Sequence, residues 1–195
     1  HLLERYALNT GVKIEKPYIY EQYFPIHYDK FITFHPIGAP NKNYSHWQEV
    51  IDLLTPVLKR EDIHIVQIGG NEKHQRTFNS TLNVLGQTSI SQLAYLINRS
   101  LLHFGIDSFP VQFAGHYNKK VVALYSHVKP EHRRPYWGEE GNQILIEPDR
   151  GEMKPSYSMG DPLKMIDRID PSNIAAAVCK LLNLDFNYDY DSIFI

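Results

Sequence analysis

The sequence predicts one α/β domain in which a parallel sheet is covered by helices on both faces. Short apolar runs alternate with stretches whose apolar residues recur at helical spacing, along most of the chain. This alternation is typical of parallel strands joined by crossover helices. The 195 residues, 43% of them hydrophobic and 22% charged, suffice for one domain with a substantial core.

The first strand is predicted at FITFH (31–35), after an opening helix and linker within residues 1–30. Prolines and a glycine force a loop at residues 36–44. The next helix is expected to begin at Ser45, because Ser45 and Gln48 have the spacing of a reciprocal cap. Pro56 is expected to kink or end this helix.

The remaining strands are predicted from apolar runs that end in turns or helix caps. They are IHIVQIGG (63–70), TLNVLG (81–86), LLHFGI (101–106), KVVALY (120–125) and, at an edge of the sheet, QILIE (143–147). Helices are predicted to start near NEKHQRTF (71–78), at the cap Ser89-x-x-Gln92, over Phe109 to Tyr117, and at Asp170-Pro171. Right-handed crossovers between such strands give a Rossmann-like domain.

Composition excludes several classes of function. A net charge of -2 provides no field for nucleic acid or an anionic membrane, and no apolar run approaches the roughly 20 residues of a bilayer span. The single cysteine, Cys179, fits a reducing cytosol, and its apolar neighbours favour a buried structural role. The opening HLLERYALNTGV lacks a secretory signal and an initiator methionine, so we expect a fragment whose partner half is missing.

A ligand site is expected beyond the carboxyl ends of the strands, where the strand order reverses. The most informative segment there is Asp107-Ser108, followed by a helix with Pro110 in its first turn. The free N–H groups of this helix start would attract phosphate, while Asp107 would accept hydrogen bonds from sugar hydroxyls. Capping of the helix accounts for both residues equally well. A Phe109 ring filling this corner would leave no room for a ligand.

Four other residues follow predicted strands at the same edge of the sheet. Lys42 could extend an ammonium group to a diphosphate, although a solvated loop lysine is the alternative. Glu72 follows two glycines and could hold ribose hydroxyls or favour a helix start. Thr88 and Ser89 open a helix, and capping alone explains Ser89.

A loop near residue 130 carries two arginines beside two aromatic residues. Arg133 or Arg134 could reach a phosphate from the rim of the cleft, and Trp137 could cover a sugar face. A solvated loop is the alternative interpretation. No metal site is expected, because the histidines are scattered and cysteines do not cluster. Standard NAD-binding and P-loop motifs are also absent from the sequence.

Residues 85–125, from LGQTSISQ to VVALY, resemble the signature segment of the heptosyltransferase-like glycosyltransferase family 9, whose fold is GT-B. FITFHPIGAPNKNYSHW and VQIGGNE resemble its earlier strands and loops. The similarity covers about residues 30–125 and implies three parts. They are a connector from a missing N-terminal domain (1–30), a nucleotide-sugar-binding Rossmann-like domain (31–185) and a C-terminal tail (186–195).

The resemblance implies metal-independent, inverting transfer from a nucleotide sugar such as ADP-heptose to a glycan, lipid-linked or lipopolysaccharide acceptor, without a cofactor. The location implied is the cytoplasm, with peripheral membrane association through the missing half as an alternative. By position, Lys42 would contact donor phosphate, Glu72 the ribose, Thr88 the base, and Asp107 with Ser108 the sugar and phosphate. The general base is expected in the missing half.

Two positions depart from the family pattern. Phe109 occupies the place of a glycine, and Gln112, still expected to contact the donor, that of the usual histidine. These departures allow a donor other than heptose, or altered activity. The alternatives to a transferase are a nucleotide-sugar epimerase of the same architecture and a non-catalytic domain that binds a nucleotide, glycan or partner.

Overall fold

The computed structural model describes residues 1–70, 76–152, 154 and 164–186. Within them lies a six-stranded sheet of order β3-β2-β1-β4-β5-β6, in which all neighbouring strands are parallel. The strands are β1 (Phe31–His35), β2 (His64–Gln67), β3 (Thr81–Asn83), β4 (Leu102–Ile106), β5 (Lys120–Leu124) and β6 (Gln143–Ile146). The predicted α/β class and the position of β6 at an edge are confirmed.

Helices cover both faces of the sheet. The helices of the described residues are α1 (Leu2–Thr10), α2 (Trp47–Arg60), α3 (Ile90–Arg99), α4 (Phe109–His116), α5 (Pro130–Arg133) and α6 (Pro171–Leu182). Helices α2 and α6 bury their apolar faces on one side, while α3 and α4 cover the other. Cys179 is buried within α6, as predicted. None of the helices described here is long and apolar enough to cross a membrane.

The predicted start of α2 is wrong. The helix begins at Trp47, and Ser45 instead bonds Asp167 through its amide (2.7 Å) and hydroxyl (2.9 Å). Gln48 bonds Asp52 rather than closing a reciprocal cap. Pro56 does not end the helix, which continues to Arg60. The helix start expected at 71–78 is absent from its described part, 76–78, and the rest lies outside the described residues.

Two histidines on neighbouring strands, His103 fully buried and His35 half-buried, make stability depend on pH. Burial lowers the pKa of His103 from 6.5 to about 3 and that of His35 from 6.5 to about 4. The folded protein therefore resists protonation that the unfolded chain accepts below pH 6.5. We expect the contribution of these two histidines to the free energy of unfolding to be constant above that pH. As the pH falls further, it should decrease by roughly 1.4 kcal/mol per pH unit for each such histidine.

Urea titrations between pH 7 and pH 4 measure this dependence. His103→Gln should roughly halve the slope and leave the part due to His35, because glutamine can still contact Thr33, 3.0 Å from the His103 Nδ1, but does not titrate. Equal slopes in wild type and His103→Gln would contradict the prediction.

Candidate functional site

The strand order reverses between β1 and β4, which lie side by side at the centre of the sheet. The chain leaves β1 toward β2 and β3, and returns to β4 on the other side before continuing to β5 and β6. A short 3-10 turn, Pro40–Lys42, follows β1, and Asp107 follows β4 directly. The loops after these two strands therefore diverge around one crevice, where ligands of such sheets bind.

Lys42 and Asp107 meet in this crevice. The Lys42 Nζ lies 2.8 Å from the Asp107 Oδ2 and 2.8 Å from the Asp107 carbonyl oxygen. The Lys42 ammonium therefore donates to both acceptors, which ties the loop after β1 to the end of β4. The Arg133 Nη1 lies 3.7 Å from the same Oδ2. Two cationic side chains thus converge on one carboxylate, and the cluster carries a net positive charge.

The cluster forms part of a cleft of about 480 Å³. Its opposite wall is largely apolar and comes from α1 and from the loop after α5. The lining residues are His1, Leu2, Leu3, Tyr6, Lys42, Asp107, Ser108, Gln112, Arg133, Tyr136 and Trp137. A cleft of this size with few polar groups has the form of a small-molecule site.

The two cationic side chains of the cluster are more exposed to solvent than the carboxylate. The Asp107 side chain is 7% exposed, whereas that of Lys42 is 16% and that of Arg133 30% exposed. A ligand entering the cleft therefore meets the cations before the carboxylate. This arrangement favours an anion, because a partly buried charge is screened less by water than a surface charge.

Ser108 precedes α4 but its side chain does not cap the helix. Its Oγ lies 2.8 Å from the His35 Nδ1, at the end of β1. The Asp107 carboxylate faces Lys42 and Arg133. Capping of α4 therefore does not account for these two side chains in the structure.

Phe109 does not fill the crevice. Its side chain is 46% exposed, and its ring packs against Phe113 with 4.3 Å between centroids. Phe109 is not among the residues that line the cleft. The space beside Asp107 consequently stays open although the family's glycine is missing.

Gln112 holds the arginine-bearing loop. Its Nε2 donates to the Arg133 carbonyl oxygen at 2.9 Å, and the Tyr125 hydroxyl donates to the same oxygen at 3.3 Å. One turn later, a Cβ on Gly115 would lie 2.2 Å from the Pro135 Cβ, so only glycine lets the loop pack this closely on α4. These contacts position Arg133 and the aromatic residues beyond it at the cleft.

The other candidate residues lie elsewhere. Arg134 points away and pairs with Glu140 at 2.6 Å. Thr88 and Ser89 follow the edge strand β3 and do not line the cleft, and the Ser89 Oγ accepts the Gln92 amide at 3.2 Å as a cap. Glu72 lies outside the described residues.

The sequence did not indicate the apolar wall or the contact with His35. Leu2, Leu3 and Tyr6 were assigned to a connector, and nothing in a helical pattern shows which surface the helix will cover. His35 was treated only as the last residue of a strand. The available signal was that His35 ends one central strand while Asp107 and Ser108 follow another, because neighbouring parallel strands bring such residues to the same edge of the sheet. Within the described ranges, no group of three or more His, Cys, Asp or Glu side chains forms a metal-binding cluster.

Comparison with known proteins shows both the family and the fold. The family model described as glycosyltransferase family 9 (heptosyltransferase) matches residues 19–164. No curated protein gives a significant match. Among solved structures, the chain is similar to ADP-heptose LPS heptosyltransferase II of E. coli, with 21% identity and a TM-score of 0.62. It is also similar to a family 9 glycosyl transferase of Veillonella parvula, with 22% identity and a TM-score of 0.62.

A third similar structure, heptosyltransferase WaaC of E. coli solved with ADP, has 13% identity and a TM-score of 0.57. The three matches cover 81%, 80% and 79% of this chain, but 48%, 46% and 44% of the respective structures. The chain thus spans slightly less than half the length of these structures, and at such low identity they show the Rossmann-like fold that it shares with GT-B heptosyltransferases. Because the family model covers most of the sequence, the chain belongs to glycosyltransferase family 9.

Proposed function

We propose that the chain is the donor-binding part of a glycosyltransferase, and that its cleft binds the diphosphate of a nucleotide sugar. The observation that carries this proposal is the cluster of Lys42, Asp107 and Arg133 at the reversal of strand order. Family membership supports the same function. The positive excess of the cluster suits a doubly charged diphosphate better than a neutral glycan.

The same cations would assist transfer of the sugar. When the bond between the anomeric carbon and the phosphate oxygen breaks, the electron pair stays with the nucleoside diphosphate. Lys42, Arg133 and the positive end of the α4 dipole would stabilise this growing negative charge. The positive charge that stabilises the leaving nucleoside diphosphate is thereby supplied by side chains. We propose that donor binding does not require a divalent cation.

The remaining walls would bind the sugar and the nucleoside. Asp107 retains lone pairs that can accept hydrogen bonds from sugar hydroxyls while Lys42 holds its orientation. Trp137 and Tyr136 offer aromatic surface to the apolar face of a sugar or base. We propose ADP-heptose or a related nucleotide sugar as the donor, a glycan or lipopolysaccharide acceptor, and a site of action at the cytoplasmic side of the membrane.

Calorimetry of the purified chain with ADP, GDP, UDP and CDP tests this function. Each titration is run with EDTA and then with Mg²⁺, and the preferred base is repeated as the nucleoside monophosphate. We expect at least one diphosphate to bind equally well in both buffers and about tenfold more tightly than its monophosphate, because the second phosphate adds charge-assisted hydrogen bonds. No binding of any diphosphate would reject the proposal, and binding only with Mg²⁺ would reject metal independence.

Neighbouring arginines provide a matched test of the site. Arg133→Ala should weaken diphosphate binding about tenfold, since it removes a charge that faces the cleft. Arg134→Ala removes the same charge from the same loop but from a side chain paired with Glu140, and should leave the affinity unchanged. Calorimetry of both variants measures the difference. Equal losses would indicate a nonspecific effect of net charge instead of a site at Arg133.

A further inference from the structure

The structure leaves the side chain of Ser108 turned away from its own helix. A serine before a helix usually accepts a hydrogen bond from an amide of the first turn. Ser89 does so before α3, and Asp170 before α6. Among these three helices, α4 alone has an uncapped polar residue at this position. Gln92 completes a reciprocal cap with Ser89, whereas the corresponding residue after Ser108 is Val111, and the side chain of Ser108 bonds a partner on another strand instead.

The partner that Ser108 has and Ser89 lacks is His35. The His35 Nδ1 lies 2.8 Å from the Ser108 Oγ. His35 does not line the cleft, so its ring lies behind the serine. It is the last residue of β1, and its backbone pairs with Gly105 two residues before Asp107. The relative position of the two side chains is therefore set by the pairing of β1 with β4.

Burial keeps the His35 ring uncharged, because it lowers the pKa to about 4. The ring can therefore hold one fixed hydrogen bond to the hydroxyl throughout the neutral range. A neutral ring also adds no charge that would vary with pH behind the cleft.

We propose that His35 is a positioning residue that fixes the Ser108 hydroxyl at the wall of the cleft and prevents it from capping α4. This inference rests on the proposed function, since the fixed hydroxyl would contribute to binding the donor diphosphate. Without His35, the hydroxyl rotates toward the amide of Val111, the third residue of α4, and replaces the Ser108 carbonyl oxygen, 3.2 Å away, as its acceptor. It then occupies the helix start and is lost as a ligand group.

A double-mutant cycle in diphosphate affinity tests the inference. His35→Ala is expected to weaken binding about tenfold, the equivalent of one charge-assisted hydrogen bond. In the Ser108→Ala background, the same substitution should change the affinity less than about twofold, because no hydroxyl remains to be positioned. His35→Asn, which returns a polar atom near the position of Nδ1, should restore most of the affinity.

A second readout reports the serine directly. The amide NMR signal of Val111 should shift between wild type and His35→Ala, where Ser108 becomes free to cap, but not between Ser108→Ala and the double variant. Additive losses of affinity in the cycle, or an unshifted Val111 signal in His35→Ala, would overturn the inference. The NMR spectra also show whether each variant is folded.

The two proposals fail in different ways. If wild type binds no nucleoside diphosphate, the proposed function fails first. If wild type binds, Arg133→Ala binds weakly and His35→Ala keeps full affinity, the donor site stands and only the role of His35 is wrong.

Discussion

Replacing Lys42 with alanine should weaken the binding of nucleoside diphosphates by about 100-fold, the largest loss that we expect from any side chain of the cleft. The ammonium is the least exposed cation there and donates to Asp107 at 2.8 Å. Its removal takes away a charge-assisted contact to phosphate, worth about 1.5–3 kcal/mol. It also leaves the negative charge of Asp107 without its nearest cation, so that this nearly buried carboxylate repels the incoming anion.

A second substitution separates these two effects. Lys42→Ala combined with Asp107→Asn removes the repelling charge of the carboxylate but does not restore the ammonium. About tenfold of the lost affinity should therefore return. The double variant should also unfold at higher urea than Lys42→Ala, because a buried charge without its partner is destabilising. Lys59→Ala, an exposed lysine near the end of α2, is the control. Wild-type affinity in Lys42→Ala would place the diphosphate elsewhere.

Much of the fold was predictable because the central strands are short segments rich in apolar residues. β1, β4 and β5 are almost wholly buried. Their mainly apolar sequences, without regular alternation of apolar and polar residues, agree with these buried positions in the sheet. The placement of Lys42 and Asp107 at the same edge of the sheet also followed from general rules, although their direct contact was not predicted. Residues 65 positions apart meet because both follow central parallel strands, at the point where the order reverses.

The wrong predictions arose where a residue distant in sequence took the hydrogen bonds that a local cap would have used. Ser45 and Gln48 have capping spacing, but Asp167, 122 positions from Ser45, takes both the amide and the hydroxyl of the serine. Ser108 was similarly expected to be able to cap α4, yet His35 on another strand holds it. A charged or aromatic partner that arrives through tertiary folding does not appear in any sequence window.

Pro56 shows the same competition in energetic terms. Proline inside a helix costs about 3 kcal/mol, because it removes one hydrogen bond and crowds the preceding turn. Beyond it, α2 buries Val57 and Leu58 against the sheet. Each such side chain contributes about 1.5–3 kcal/mol on burial, which is enough to offset the proline. Proline does disfavour the helix at this position, but the burial of apolar side chains in the core contributes more free energy than the proline costs.

Gly105→Ala should produce the largest loss of stability, about 3 kcal/mol or more in the free energy of unfolding. A Cβ at this position would lie 2.2 Å from the His35 carbonyl oxygen, and the residue has a φ of +156° that suits glycine. Neither clash partner can yield easily, because both belong to the backbone of paired central strands. Urea denaturation measures the change.

Gly141→Ala is the matched control, since its added Cβ would have no neighbour within 4 Å and φ is not positive there. Its unfolding free energy should remain within about 0.5 kcal/mol of wild type. In Gly105→Ala, relief of the clash requires β1 and β4 to separate. That movement would draw the loop of Lys42 away from Asp107, so the molecules that still fold should also bind diphosphate more weakly. A stable Gly105→Ala variant with full affinity would show that the close approach of these strands is needed neither for the fold nor for the cleft.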